Sequence, residues 1–220
     1  MLNKEGSMNF DSEHHFDAVQ RSVSSVTRDG KAAKAVTLTR SYPTAIDDLW
    51  SALTNSERIP RWFLPITGDL NLGGRYQFEG NAGGEIRECN SPTYLSVTWE
   101  WQDDVSWLEV RLSEAAENKT QLTLIHTAVV SEFWAQFGPG ATGLGWETGL
   151  IGLDYHLLNP NAPMMDKGLF SSSPEGRAFV AQSSEDWGRA SIASGTQTTQ
   201  ALDAVKKITA FYTGDNSETS

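Results

Sequence analysis

SYPTAIDDLWSALTNSERIPRW, residues 41–62, is the stretch of this sequence that decides the fold. An extended run ends at Pro43, and Thr44 followed by Asp47 predicts a capping box that opens a short helix. The apolar residues of that helix repeat at helical spacing: Ile46, Leu49, Trp50 and Leu53. Capping residues at 55 and 56 predict a second short helix. A strand, two short helices and then hairpins predict a curved sheet wrapped around a helix, an arrangement that often encloses a cavity.

Alternation of apolar and polar residues predicts the strands on either side of this stretch. Asp29-Gly30 is a strong tight-turn signal between two extended runs. Other runs alternate with period two and place these residues on one face: Val36, Leu38, Arg40 and Tyr42; Tyr76 and Phe78; Leu95, Val97, Trp99 and Trp101; Leu108, Val110 and Leu112; Leu122, Leu124 and His126. Regular short strands separated by turn signals predict an antiparallel meander.

The period changes to a helical one beyond Gly140. A long helix with one apolar stripe is predicted from the spacing of Trp146, Leu150, Leu153 and Leu157. Glycines recur in or near this helix, and each interior glycine costs about 1 kcal/mol relative to Ala. We expect close approach of the sheet backbone, or room left for a ligand, to offset that cost. Apolar stripes at 174–194 and 198–212 predict two further helices that pack back on the domain or on a second copy.

The charge balance excludes several classes of partner. Lys and Arg number 17 and Asp and Glu 28, which gives a net charge of −11. Nucleic acids and anionic membrane surfaces repel such a chain, so neither is an expected partner. No apolar run approaches the roughly 20 residues that a membrane span needs, and the first 20 residues are too polar for a signal peptide. Cys89 is the single cysteine, which rules out an intrachain disulfide. We therefore expect a cytoplasmic protein.

The sequence predicts neither a cofactor nor a metal. Gly138-Pro-Gly-Ala-Thr-Gly143 fits a dinucleotide-binding pattern, but it follows the last predicted strand instead of the first strand of a parallel unit. The histidines have no Cys or His partner at metal-ligand spacing. The glycines are better explained as setting the entry angle of the long helix.

Several spaced motifs together resemble a known family. Its landmarks are found in order at Leu38–Trp62, at Leu70–Tyr76 (LNLGGRY), at Leu95–Trp101 (LSVTWEW), at Leu122–His126 (LTLIH) and at Gly145-Trp146. The chain from about Val36 to Leu158 resembles the SRPBCC group, which is START-like and polyketide-cyclase-like. More narrowly, it resembles homologues of the C-terminal domain of the chaperone ATPase activator. The resemblance implies an α+β helix-grip fold, in which a curved antiparallel sheet wraps a long C-terminal helix around an apolar cavity.

On the basis of this resemblance we expect the chain to be divided into four parts. Residues 1–15 form a mobile N-terminal arm, 16–158 the SRPBCC helix-grip domain, 159–213 a helical C-terminal extension and 214–220 a disordered tail. The eukaryotic activator carries a separate N-terminal chaperone-binding domain, for which residues 1–34 are too short.

Most candidate site residues lie on the inward faces of the predicted strands and helix, and Phe133 belongs to a predicted lid or plug over one end of the sheet. The candidates are Arg40, Trp62, Tyr76, Phe78, Trp99, Trp101, His126, Phe133, Trp146 and Leu150. The aromatic side chains are either ordinary core or the walls of a pocket for a planar or lipid-like ligand. Arg40 and His126 either contact that ligand or pair with a carboxylate such as Glu88 or Asp154, since an unpaired buried polar group costs roughly 1–3 kcal/mol.

Three functions remain open from the sequence. The first is binding of a small apolar or aromatic molecule between sheet and long helix. The second is an interaction module for a heat-shock chaperone or other partner, and a homodimer is also open. The third is a cyclase-like or hydratase-like enzyme that uses His126 with Asp154 or Glu147 in the same cavity.

Overall fold

The computed structural model describes residues 12–214. The predicted arm before residue 12 and the predicted tail after residue 214 lie outside the described residues. Eight strands are formed in the described part: β1 (Gln20–Arg28), β2 (Lys31–Tyr42), β3 (Ile66–Gly68), β4 (Arg75–Phe78), β5 (Gly83–Asn90), β6 (Tyr94–Trp101), β7 (Asp104–Ala116) and β8 (Lys119–Val129). Its helices are α1 (Ser12–Ala18), α2 (Ile46–Thr54), a 3₁₀ helix (Ile59–Arg61), α3 (Glu132–Phe137), α4 (Gly140–Leu158), α5 (Lys167–Ser172), α6 (Pro174–Ala193) and α7 (Thr198–Thr213).

The strands form one antiparallel sheet in the order β1-β2-β8-β7-β6-β5-β4-β3. Asp29 and Gly30 adopt positive φ angles of 50° and 75° and make the predicted tight turn between β1 and β2. After β2 the chain crosses through α2 and the 3₁₀ helix to the far edge of the sheet, and then returns strand by strand to β8 beside β2. In this crossing α2 packs against β7 and β8.

Helix α4 lies between two hydrophobic cores. On one side Trp146, Leu150 and Leu153 join the inward-facing residues of the sheet. On the other side Leu144 and Ile151 pack in a second cluster with Met165, Phe170, Phe179 and Val180. The α+β helix-grip fold with a helical C-terminal extension is therefore confirmed. Among helices within residues 12–214, none combines the length and apolarity that crossing a membrane would require.

The glycines of α4 have a reason that the sequence analysis did not anticipate. A Cβ at Gly143 would lie 2.1 Å from Cε2 of Trp187 in α6, and one at Gly140 would lie 3.2 Å from Cγ2 of Ile208 in α7. Real Cβ atoms do not approach other atoms as closely as 2.1 Å. The glycines therefore admit the helices of the extension, and neither sheet backbone nor ligand volume explains them at these positions.

Two local predictions need correction. Residues 12–15, expected in a mobile arm, belong to α1, and His15 is buried against Phe179. The capping box at Thr44 and Asp47 does not form: Ala45 is the N-cap residue of α2, and the Thr44 hydroxyl donates to Asp48 at 2.8 Å. Helix α2 still begins at the expected place because its apolar face packs on the sheet.

Candidate functional site

A cavity of about 280 Å³ lies between the sheet, α2 with the segment that follows it, and α4. Its lining residues from the sheet side are Ile66, Leu70, Tyr76, Phe78, Ile86, Cys89, Leu95, Val97, Trp99, Leu108, Val110 and Leu124. Those from the helical side are Trp50, Leu53, Thr54, Ile59, Trp62, Phe63, Trp146 and Leu150. Cys89 is exposed and both Leu70 and Leu95 are half-buried, so the cavity reaches solvent on this side.

Four aromatic rings form one end of the cavity. Phe63 stacks on Trp146 with ring centroids 5.9 Å apart and an interplanar angle of 15°. Trp99 meets Trp146 edge to face at 5.0 Å, and Phe78 meets Phe63 edge to face at 5.0 Å. Such offset and edge-to-face contacts are the favourable arrangements of aromatic rings. The rings therefore hold one another in place while leaving space beside them.

His126 lies behind this aromatic wall. The indole Nε1–H of Trp146 donates to Nδ1 of His126 at 3.0 Å, and His126 Nε2 is 2.9 Å from the hydroxyl of Ser106. The Ser106 hydroxyl in turn donates to the backbone carbonyl of Trp99 at 3.0 Å. Because an indole can only donate, Nδ1 must accept, and the ring proton of neutral His126 is on Nε2. Burial lowers the pKa of His126 to about 4, so the ring is neutral near pH 7.

Three other polar groups of the wall are also engaged within the protein. The Tyr76 hydroxyl donates to the carbonyl of Thr98 at 2.7 Å, and burial raises the pKa of this phenol. The Trp62 indole donates to the carbonyl of Ala52 at 2.9 Å, and the Thr54 hydroxyl donates to that of Trp50 at 2.8 Å. The cavity therefore offers mainly carbon surface to a ligand.

Charged side chains of β4 to β7 lie on the opposite, outer face of the sheet. There they form exposed ion pairs across or along strands: Arg75 with Glu100, Arg87 with Glu85 and Arg111 with Glu109. This follows from the two-residue period of a strand, which sends successive side chains to opposite faces. The alternation that produced the apolar cavity also keeps these charges out of it.

Six of the ten residues selected from the sequence line the cavity: Trp62, Tyr76, Phe78, Trp99, Trp146 and Leu150. Trp101 does not, because it stands at the last position of β6, beside the turn to β7, where it is 48% exposed. Phe133 does not either, because it belongs to α3, is 56% exposed and packs on Phe137 instead.

The two polar residues selected from the sequence also lie outside the lining. Arg40 is buried and pairs with Asp154 at 2.9 Å, one of the two carboxylates expected for it, and its other terminal nitrogen is 2.9 Å from His15 Nδ1. His126 pairs with neither Asp154 nor Glu88, and its partners are the Trp146 indole and the Ser106 hydroxyl. The acid–base pair of His126 with Asp154 or Glu147 is not formed, since both carboxylates are bound to arginines.

Phe63 is the main lining residue that the sequence analysis missed. It stacks on Trp146 and contacts Phe78 and Trp99. A signal for it was present, because the apolar run Trp62-Phe-Leu64 is bracketed by Pro60 and Pro65 and lies in a segment too short for a regular helix.

A buried ionic cluster occupies the side of α4 that faces away from the cavity. Glu147 is fully buried and accepts two hydrogen bonds from Arg21, both at 2.7 Å, and a third from the Trp187 indole at 2.7 Å. His15 Nε2 is 3.4 Å from the same carboxylate, and Arg21 also pairs with Asp186 at 3.3 Å. Although burial raises the pKa of Glu147, hydrogen bonds from His15 and Arg21 and the charge of Arg21 outweigh it and hold that pKa below its usual value. Thus α1, β1, α4 and α6 share one set of polar contacts.

Within residues 12–214, no group of three or more His, Cys, Asp or Glu side chains is placed to hold a metal ion. The ionic cluster does not alter this, because Arg21 and Trp187 fill the positions around Glu147 that a cation would need.

Comparison with known proteins identifies the family. Residues 43–157 match the family described as Activator of Hsp90 ATPase homolog 1-like protein (AHSA1), and this match spans 115 of the 220 residues. The chain belongs to the AHSA1 family. The cavity, with α2, the sheet from β3 to β8 and most of α4, lies inside the AHSA1 match. No curated protein sequence matches the chain.

Solved structures extend the likeness beyond the AHSA1 region. The crystal structure of CalU16 from Micromonospora echinospora is 29% identical, with a TM-score of 0.65 over 79% of this chain and 98% of that one. Its solution structure gives 28% identity and a TM-score of 0.68 over 81% of this chain and 97% of that one. EF2215 from Enterococcus faecalis, 16% identical with a TM-score of 0.52 over 78% and 93% of the two chains, shares the fold. The likeness to CalU16 covers 79% of this chain, which is more than the AHSA1 match at residues 43–157. CalU16 therefore also resembles elements of this chain that flank the AHSA1 match.

Proposed function

We propose that this protein binds a small apolar or aromatic molecule in the cavity between the sheet and α4. The observation that carries the proposal is a space of about 280 Å³ walled by aromatic and aliphatic side chains. Protein interiors normally leave few voids larger than a water molecule. At ~30 Å³ for each water in the liquid, this volume equals about nine waters.

The lining supports an aromatic ligand in particular. The rings of Phe63, Trp99 and Trp146 line one end of the space, and rings add about 0.5–1.5 kcal/mol per well-placed aromatic pair beyond the area they bury. No lysine or arginine is among the lining residues, so the site has nothing to neutralise a buried anion. An uncharged ring system is the chemistry that fits.

N-phenyl-1-naphthylamine, an uncharged dye of fused and single aromatic rings, is a suitable probe. We expect saturable binding to the wild type with micromolar or better affinity, measured by dye fluorescence and by native mass spectrometry. Leu95→Phe narrows the cavity at its half-buried side and should weaken binding. Leu72→Phe makes the same change at a residue that is 65% exposed and outside the lining, so it should leave binding unchanged. Equal binding by the two variants would place the dye elsewhere and reject the proposal.

A second function, contact with a chaperone of the heat-shock class in the cytoplasm, is supported by AHSA1 membership and by one surface. Phe133 and Phe211 are 56% and 59% exposed and lie on either side of Phe137, at ring distances of 4.9 Å and 5.9 Å. Exposed aromatic residues grouped in this way are typical of interaction surfaces.

Pull-down with Hsp90 followed by an ATPase assay tests this second function. Stimulation that Phe133→Ser with Phe211→Ser abolishes would support it, and Leu158→Ser, at an apolar residue 63% exposed, is the control. Size-exclusion chromatography with light scattering shows in the same samples whether a homodimer covers the aromatic surface instead. A monomer that neither binds Hsp90 nor changes its ATPase rate would remove the chaperone function.

A further inference from the structure

We propose that His126 is the positioning residue of the ligand site: it holds the Trp146 indole in the orientation that forms the cavity wall, and only its neutral form can do so. The inference rests on the proposed binding function, because the wall in question is the one that the ligand would contact. It assigns His126 a role behind the wall, in place of a direct contact with the ligand.

The orientation of Trp146 depends on where its N–H group can donate. The residue is 9% exposed, and its indole N–H is satisfied by Nδ1 of His126 at 3.0 Å. A rotated ring would leave that N–H without an acceptor, which is unfavourable for a buried donor. The present orientation puts the ring parallel to Phe63, within 15°, and edge to face with Trp99.

The same histidine also links the neighbouring strands through hydrogen bonds. Through Nε2 it donates to Ser106 of β7, whose hydroxyl donates to the Trp99 carbonyl of β6. One imidazole thus joins β8, β7, β6 and α4 at the aromatic end of the cavity. Each of its nitrogens has one partner, and each partner needs a different role: Nδ1 must accept and Nε2 must donate.

Protonation of His126 is incompatible with this arrangement. An imidazolium carries a proton on both nitrogens, so its Nδ1–H would face the Trp146 N–H, and two donors would meet at 3.0 Å. Charged side chains of the surrounding elements pair elsewhere: Arg40 of β2, Glu147 and Asp154 of α4, Glu100 of β6 and Glu109 of β7. Burial is the cause that lowers the pKa of His126, with no contribution from a described charged group.

Two variants separate positioning from simple packing. His126→Leu keeps a side chain of similar bulk but removes the acceptor. His126→Asn removes the titrating ring but can present its amide oxygen near the former Nδ1, where it can accept from the indole. Two readouts are compared in the full chain: the indole N–H resonance of Trp146, assigned with Trp146→Phe, and the dissociation constant of N-phenyl-1-naphthylamine.

In His126→Leu we expect the indole N–H resonance of Trp146 to lose the chemical shift typical of a hydrogen-bonded indole. Dye affinity should fall about tenfold, which corresponds to the free energy of one hydrogen bond. In His126→Asn both should stay near wild type. On acidification the wild-type indole resonance should move with a midpoint near pH 4. Dye binding should be about twofold weaker there, since half of the molecules then lack the competent form. His126→Asn should show neither change.

An indole resonance that is the same in wild type and in His126→Leu would overturn the inference, as would an acid step that persists unchanged in His126→Asn. Should His126→Leu fail to fold, the comparison of wild type with His126→Asn across pH decides the question by itself. Absence of dye binding to the wild type would reject the proposed function, whereas the indole response reports on His126 without any ligand. The two failures are therefore distinguishable.

Discussion

The two faces of α4 differ in how closely they are packed. On the face toward the sheet, Trp146 and Leu150 border unfilled volume, and the contacts are apolar and aromatic. On the face toward the extension, Gly143 admits the Trp187 ring, and Glu147 is buried with Arg21. One face leaves room for another molecule, and the other is packed with this chain's own side chains.

This difference explains why α4 has no polar face although it belongs to a protein of net charge −11. Both of its sides are buried, one in each core. A surface helix would carry solvated charged residues on one side. Helix α4 is covered on both sides, and its two acidic residues, Glu147 and Asp154, pair with arginines. The extension thus closes the back of α4 and lets its front form part of the cavity.

The largest effect expected is on the packed face. Glu147→Ala removes the carboxylate that accepts two hydrogen bonds from buried Arg21 and leaves Arg21 with its 3.3 Å contact to Asp186. Breaking a buried ion pair in this way costs about 3–5 kcal/mol. Urea unfolding should show a loss of that size, against less than about 0.5 kcal/mol for Glu88→Ala at an exposed position. Arg21→Met added to Glu147→Leu should recover much of the loss, because an apolar replacement for both ions leaves no charge unpaired. Full stability in Glu147→Ala would show that the cluster does not hold the extension.

A Gly→Ala substitution should change the free energy of unfolding in opposite directions on the two faces of α4. A Cβ at position 143 would lie 2.1 Å from the fully buried Trp187 ring, so Gly143→Ala should destabilise by about 3 kcal/mol, the upper range for overpacking. A Cβ at position 149 would meet Phe63 at an ordinary 3.7 Å, so Gly149→Ala should stabilise by up to about 1 kcal/mol through helix propensity. Thermal and urea unfolding of the two variants measure this contrast. Equal effects would contradict the difference between the faces.

An effect smaller than the loss expected for Gly143→Ala is predicted in the pH dependence behind the aromatic wall. His126 has a folded pKa of about 4, below its usual value near 6.5, so the folded state binds its proton less readily than the unfolded state does. Its contribution to stability is complete above about pH 6.5 and is lost as pH falls toward 4. Between pH 7 and 5 the wild type should lose about 2 kcal/mol more than His126→Asn. Parallel stability curves for the two proteins would show that His126 does not titrate in this way.

Much of the fold follows from local periodicity in the sequence. Period two in Leu95, Val97 and Trp99 predicted an inward strand face, and the helical stripe from Trp146 to Leu157 predicted α4. Both signals come from the burial of one face of a single strand or helix. The spacing of apolar residues within a short stretch of sequence is enough to detect it. Trp101 continues the same alternation, but it lies beside a turn and is exposed. Alternation alone does not predict at which residue of a strand the burial of its inward face ends.

The ionic cluster and the histidine contact could not be predicted in the same way. His15 and Glu147 are 132 positions apart, and Arg21 and Glu147 are 126 apart. No spacing rule joins such residues, because their proximity depends on how α1 and β1 are placed relative to α4. His126 was recognised as an inward polar residue, but its partner is an indole, and the search for a carboxylate could not identify it. Pairing of Arg40 with Asp154 was one of the alternatives left open, because a buried guanidinium requires either a carboxylate or a ligand as its partner.

A structure of the protein in complex with N-phenyl-1-naphthylamine, by crystallography or by intermolecular NOEs, shows whether a ligand binds between the sheet and α4. We expect the dye rings on the sheet-facing side of α4, in contact with Phe63 and Trp146, with Trp187 and Glu147 unchanged on the other side. Dye bound only at an outer surface, such as that of Phe133 and Phe211, with the interior space closed by side chains, would contradict this expectation.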